Sequence, residues 1–94
     1  MDWTVAATSK ARRQIEKLPE HIRLIYVMLA RDMRVAGPYR NNWKHYGKLN
    51  GTRDLFHCHL VSGRPTYVVC WEVKDKVIHL IEVFYVGTHE SAPY

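Results

Sequence analysis

The feature that most constrains this chain is a change of hydrophobic period near residue 54. Before it, apolar residues recur every three to four positions. After it, they alternate every second position. Ile22, Ile25, Tyr26, Leu29 and Met33 fall at i, i+3, i+4, i+7 and i+11, one stripe along a helix. The stripe predicts a helix from about residue 19 to about residue 35, opened by Pro19 with Glu20 in its first turn and stopped by Gly37-Pro38. A shorter amphipathic helix over residues 10–17 precedes it. Ala11, Ile15 and Leu18 form its apolar side, Lys10, Arg12, Arg13 and Lys17 the other, and Thr8 and Ser9 suit its N-cap. Joined this tightly, the two helices read as an antiparallel hairpin.

Beyond residue 54 the pattern is that of strands over 54–61, 66–73 and 77–86, joined by Ser62-Gly63-Arg64-Pro65 and Lys74-Asp75-Lys76. Connections this short force antiparallel pairing. Trp3-Thr4-Val5-Ala6-Ala7 adds a short strand at the start. The order β-α-α-β-β-β predicts an α+β fold, a helix hairpin packed on one face of a mainly antiparallel four-stranded sheet. The 94 residues read as a single domain, 1–94, without linker or repeat.

Composition removes several classes. With 47% hydrophobic and 24% charged residues, disorder is excluded. No apolar run is long enough to span a bilayer, and Met1-Asp2-Trp3-Thr4 does not start a signal peptide, so a cytoplasmic protein is expected. Cys58 and Cys70 are expected to be free and buried. Residues 1–53 hold eleven Lys and Arg against four Asp and Glu, a balance of +7, while residues 54–94 hold three against five, a balance of −2. The basic half points to a polyanion or an acidic protein partner, or else is a solvated helix surface.

The strand Leu55-Phe56-His57-Cys58-His59-Leu60-Val61 carries the most chemical information. Phe56, Cys58 and Leu60 point one way and suit the helix-packed face. His57 and His59 point to the open face, about 7 Å apart. Imidazoles titrate near neutrality and serve as base or acid without large tuning. A polar Gly87-Thr88-His89-Glu90 follows the last strand, which a meander places roughly 10 Å from the histidine strand, room for a phosphate. Lys44, Lys48 and Arg53 lie in the basic segment leading to that strand. Interleaved with Trp43 and Tyr46, and with Tyr94 at the end, they suit phosphate contact and base stacking. Each feature also has a plain reading: solvated histidines, a polar tail, Trp43 as a core anchor. Glu72 is expected to pair with a cation, His21 to lie on the surface, and His79 sits on the last strand with no partner to name. A metal cluster that adds Cys58 and Cys70 to the histidines is disfavoured because Cys58 faces away from His57 and His59 on a regular strand; a three-histidine site on His57, His59 and His89 is the weaker reading. No phosphate-binding glycine loop, nucleophile elbow or dinucleotide fingerprint is present, and no cofactor is expected.

The ordered set of segments resembles the RelE/ParE superfamily of type II toxins along nearly the whole chain. It comprises the opening strand with Thr8-Ser9, the helix pair with Lys17-Leu18-Pro19, Lys48-Leu49-Asn50-Gly51 and Asp54-Leu55-Phe56-His57-Cys58-His59-Leu60. Tyr67-Val68-Val69-Cys70-Trp71 and Val86-Gly87-Thr88-His89-Glu90 complete it. Cys58-His59-Leu60 and Gly87-Thr88-His89 look most like the YafQ branch. The resemblance implies a RelE-like fold and a ribosome-dependent mRNA endonuclease held inactive by a cognate antitoxin, in a toxin–antitoxin hetero-oligomer. It implies catalytic roles for His59, His89 and His57, where RelE itself has lysines at 57 and 59 and an arginine at 89. Tyr94 stands near the family's C-terminal aromatic position. Lys44, Lys48, Arg53 and Tyr94 are then the residues expected to hold RNA, with no metal. The arginine that RelE carries on its third strand falls near Val68 and is missing. Within the same superfamily, a ParE-like gyrase poison and a non-toxic antitoxin-binding relative are the alternatives. The antitoxin is expected to be an acidic or amphipathic segment on the helix hairpin or over the open sheet face.

Overall fold

A computed structural model describes residues 2–49, 51 and 53–94. Asn50 and Thr52, in the basic segment, and Met1 lie outside the described residues. The elements are β1 (Thr4–Ala7), α1 (Ser9–Glu16), α2 (Glu20–Ala36), β2 (Gly47–Lys48), β3 (Leu55–Val61), β4 (Tyr67–Asp75) and β5 (Leu80–Thr88), followed by a 3₁₀ turn at His89–Ser91. The α+β class and the helix boundaries agree with the sequence pattern. The sheet has five strands in the order β1-β5-β4-β3-β2. The additional strand, β2, pairs only Gly47 with His57 and Lys48 with Phe56. Two residues carry no readable alternation, so pattern alone cannot announce such a strand. β1 runs parallel to β5 and the other pairs are antiparallel.

The helices begin and end where the chemistry directs. The Thr8 hydroxyl accepts the Ala11 N–H at 3.0 Å and caps α1. Pro19 sits at the N-cap of α2 and Gly37 at its C-cap, where φ is +94° and the N–H returns to the Met33 carbonyl. A Cβ at Gly37 would also press on the Trp3 indole. α2 turns Ile22, Tyr26, Leu29, Ala30 and Met33 inward. They meet Phe56, Cys58, Leu60, Val69, Trp71, Val73, Ile81 and Val83 from one face of the sheet. Burying side chains of this size contributes roughly 1.5–3 kcal/mol each before the cost of ordering them. No described helix is long and apolar enough to cross a membrane.

Two details of the last hairpin differ from the sequence reading. The turn is not Lys74-Asp75-Lys76 but residues 76–79. Asp75 remains in β4, and its Oδ1 accepts the N–H groups of Val77 and Ile78. Such an Asx-type turn is as compact as a backbone turn, and it leaves Val77 and Ile78 exposed. His79 therefore lies in the turn and not on the last strand. Its φ is +56°, and its ring stacks on Trp3 at 4.4 Å.

Second, the alternation of β5 is broken by a bulge. Cys70 pairs with Tyr85 but Trp71 pairs with Val83, so Phe84 is the additional residue. Ile81 and Val83 face the helices, and so does Val86, while Tyr85 turns to the other face. An unbroken period of two would have put Tyr85 with Val83 in the main core. The Gln14 side chain accepts the Val86 N–H at 3.0 Å and ties α1 to the strand just beyond the bulge.

Candidate active site on the open sheet face

The alternation of β3 is clean: Phe56, Cys58 and Leu60 are buried, and Leu55, His57, His59 and Val61 are half-buried on the opposite face. His57 and His59 therefore stand where the pattern put them. The C-terminal segment folds back across this face, so it is not bare. Tyr94 lies 4.7 Å from the His57 ring and, edge-on, 5.9 Å from His89. Beneath it, Val68, Cys70 and Tyr85 form a second small buried cluster with Leu49 and Ala92 at its margin.

His89 is held by its backbone, whose N–H donates to the Thr66 carbonyl at 2.8 Å. Its ring centroid is 5.6 Å from that of His59, much closer than the strand spacing suggested. A third imidazole joins them from the irregular basic segment: His45 lies 4.3 Å from His59. Sequence reasoning missed His45. It belongs to no period, and the bond from the His59 N–H to the Lys44 carbonyl brings its segment alongside β3. The segment is anchored on both sides of that bond. The Trp43 indole N–H donates to Asp32 Oδ2 at 2.9 Å, and the Tyr46 ring stacks on Phe56 and Trp71. His45 itself has a left-handed backbone, φ +53°.

Desolvation lowers the His57 pKa from its ordinary 6.5, and His89 and His45 lower it further. His57 Nδ1 is buried with no hydrogen-bond partner among the described residues, which agrees with a neutral ring. Desolvation also lowers the His59 pKa, followed by repulsion from His45, His89 and His57. The Ser62 hydroxyl is 3.5 Å from His59 Nδ1, a long contact. Burial pushes both thiols up to about 12, and both cysteines are free. They sit on opposite faces of the sheet, Cys58 in the main core and Cys70 under the tail. Among the described residues no group of His, Cys, Asp or Glu is arranged to hold a metal ion.

The expected cations are placed unequally. Lys48 lines a shallow cleft with Leu49, Leu55, His57, Pro93 and Tyr94, its ammonium 3.4 Å from Asp54. Lys44 is exposed at the edge, beside His45. Arg53 points into a neighbouring depression, where both oxygens of Glu72 hold its guanidinium at 2.6 and 3.1 Å. Glu72 is thus paired, as expected, and Lys74 lies 3.7 Å from it. On the other side of His89 a cleft of about 550 Å³ is lined by Gly63, Arg64, Pro65, Thr66, Thr88 and Glu90. Arg64 is exposed and lines this cleft together with His89.

No family model matches the chain, and no curated protein matches it in sequence. Solved structures do match. The RelE toxin of Escherichia coli, in a mutant form solved in the free state, superposes with a TM-score of 0.76 at 20% identity, covering 98% of this chain and 88% of that one. The archaeal RelE–RelB complex from Pyrococcus horikoshii matches with a TM-score of 0.73 at 15% identity, over 98% of this chain and 100% of that one. The RelBE2 toxin–antitoxin complex of Mycobacterium tuberculosis matches with a TM-score of 0.66 at 23% identity, over 95% and 100%. Over nearly its whole length, this chain has the fold of the RelE toxins.

Proposed function

We propose that the chain is the toxin of a type II toxin–antitoxin pair and cleaves messenger RNA on the ribosome by metal-free acid–base chemistry. The observation that carries this reading is the convergence of His45, His59 and His89 on the open face of a RelE-type fold. In the proposed reaction His59 removes the proton of a ribose 2′-hydroxyl. The 2′-oxygen attacks the adjacent phosphorus, the bond to the 5′-oxygen breaks, and His89 protonates that leaving oxygen. The products are a 2′,3′-cyclic phosphate and a 5′-hydroxyl. A base must be unprotonated to act, and the lowered pKa of His59 supplies that near neutrality. His57 is the alternative base, and Tyr94 presents a ring on which an RNA base can stack.

Lys44 and Lys48 steady the phosphate in this proposal. Arg53 joins them only by leaving Glu72. An antitoxin is the proposed partner, since neighbours of this fold were solved as RelE–RelB and RelBE2 complexes. An acidic segment over the histidine face would meet Lys44 and Lys48 and bar RNA. The ribosome and its message put the action in the cytoplasm. The histidine-rich set is closer to the YafQ pattern than to the lysine–arginine set of RelE.

The test is 5′-end mapping of a reporter message after brief induction of the chain, beside a matched message lacking its start codon. Codon-phased cuts bearing 5′-hydroxyls, found only in the translated message, are expected. Growth arrest with intact message would sink the nuclease and direct attention to gyrase. The absence of both arrest and cleavage from folded, antitoxin-free protein would favour a silent binding relative.

A further inference from the structure

α2 has a second apolar stripe that its own chain does not cover. Leu24, Val27, Met28 and Val35 fall at i, i+3, i+4 and i+11 on the side opposite the core stripe, and each is more than half exposed. Single exposed aliphatics need no explanation, but a line of them along one helix does. Position i+7 of this stripe is Arg31, and Asp32 follows it. Met28, Arg31, Asp32 and Val35 line one shallow depression on the helix surface. Among the described residues neither Arg31 nor Asp32 has a salt-bridge partner. Asp32 is nevertheless held in place, because the Trp43 indole N–H engages its Oδ2 and leaves Oδ1 open.

We propose that this face is a twofold interface with a second copy of the same chain, α2 packing antiparallel on α2. The charge order selects the register. With the axis between residues 31 and 32, Arg31 meets the partner's Asp32 and Asp32 meets the partner's Arg31, two reciprocal ion pairs at the centre. The same register sets Met28 against the partner's Val35 on each side, and both residues line the same depression as the charged pair. An antiparallel pair about a twofold requires this kind of self-complementarity, in which each contact is repeated in reverse. Shifting the axis two residues toward the N-terminus would lay Arg31 on Met28, burying charge on aliphatic surface. An acidic foreign helix would satisfy Arg31 but leave Asp32 against a like charge.

The stripe lies across the sheet from the histidine cluster, so dimerisation leaves both candidate sites open. The inference does not rest on the proposed nuclease activity. A seam of one helix pair is at the low end of specific interfaces, below roughly 1,200 Å² in total, so a weak dimer is expected.

Sedimentation equilibrium of the purified full chain from about 5 to about 500 μM tests this, in the range where small interfaces associate. A reversible monomer–dimer equilibrium is expected, weakened at least about tenfold by Met28→Glu, an exposed change that leaves the core intact. Arg31→Glu and Asp32→Lys should each weaken self-association, and mixing the two variants should restore a mixed dimer. Because Asp32→Lys also removes the Trp43 hydrogen bond, cross-linking supplies an independent readout. A mixture of Met28→Cys and Val35→Cys chains should form a disulfide-linked pair in preference to either variant alone. A chain that stays monomeric throughout, a dimer indifferent to Met28→Glu, or cross-linking no better in the mixture would overturn the proposal.

Discussion

The Tyr85 hydroxyl lies over Gly87 and donates to the Thr88 carbonyl at 2.7 Å. A Cβ at Gly87 would sit 2.7 Å from the Tyr85 hydroxyl oxygen and 3.0 Å from Tyr85 Cζ, well inside contact distance. The glycine of Gly87-Thr88-His89 is therefore needed for space, and the bulge at Phe84 is what brings Tyr85 there. Tyr85 in turn fixes the carbonyl of the residue just before His89.

Gly87→Ala should consequently displace the tyrosine and break its hydrogen bond, lowering stability by about 1–3 kcal/mol. Tyr85→Phe alone should cost about 1 kcal/mol. In the double variant the loss should be smaller than the sum of the two, since the hydroxyl is the clashing atom. Urea denaturation of the four proteins checks this, and strict additivity would show that the close approach has no energetic weight.

If cleavage follows the proposed chemistry, His59→Ala and His89→Ala should each lower single-turnover cleavage of ribosome-bound message by about 10²–10⁴-fold. His45→Ala should lower it too, since its ring packs on His59 at 4.3 Å and helps depress the His59 pKa. Without His45 the pH profile's acid limb should move up toward the ordinary imidazole value, a change that a purely structural defect would not produce. Lys48→Ala should weaken RNA binding more than Arg53→Ala, because Arg53 is already committed to Glu72.

The depressed pKa values of His57 and His59 also make stability depend on pH in a defined direction. The folded chain releases these protons more readily than the unfolded chain, whose imidazoles keep the ordinary value of 6.5. Between the folded values and 6.5 the unfolded state binds more protons, so stability rises with pH across that window. The contribution is complete above 6.5 and is lost as pH falls through the folded values. Denaturation midpoints at about pH 5 and about pH 7.5 should differ less in a His57→Gln/His59→Gln chain than in the parent. An unchanged difference would assign the acid sensitivity to other groups.

Cys58 and Cys70 are fully buried, with thiols pushed up to about 12. Neither should react with iodoacetamide in folded protein near pH 8, and both should react in denaturant, where the thiol returns to about 8.5. Mass spectrometry of intact protein reads the outcome. Rapid labelling of Cys70 alone would mean that the Tyr94 tail lifts off the sheet.

Much of this molecule was legible because its signals are local. The core stripe of α2, the Thr8 cap, the Gly37 stop and the alternation of β3 each depend on residues within a few positions of one another. Their periods report directly which side chains can share a face. The orientation of His57 and His59 followed from alternation alone. The turn beyond Asp75 escapes a pattern reading because an acidic side chain that caps backbone N–H groups leaves Val77 and Ile78 exposed, and aliphatics normally argue for a strand.

By itself, then, the amino-acid order determined the α+β class, the helix-covered face, and the strand that bears His57 and His59. Only the tertiary structure decided which histidines meet. His45 reaches His59 through a backbone bond between segments fifteen residues apart, Lys44 to His59. The approach of His89 to His59, and Tyr94 returning over His57, likewise have no period to announce them. The bulge in β5 reverses the phase of Tyr85 without changing the composition of the strand. Periodicity reports the direction of each side chain along its own element. The distance between elements is set by packing and by hydrogen bonds between segments remote in sequence, and the site is made of such distances.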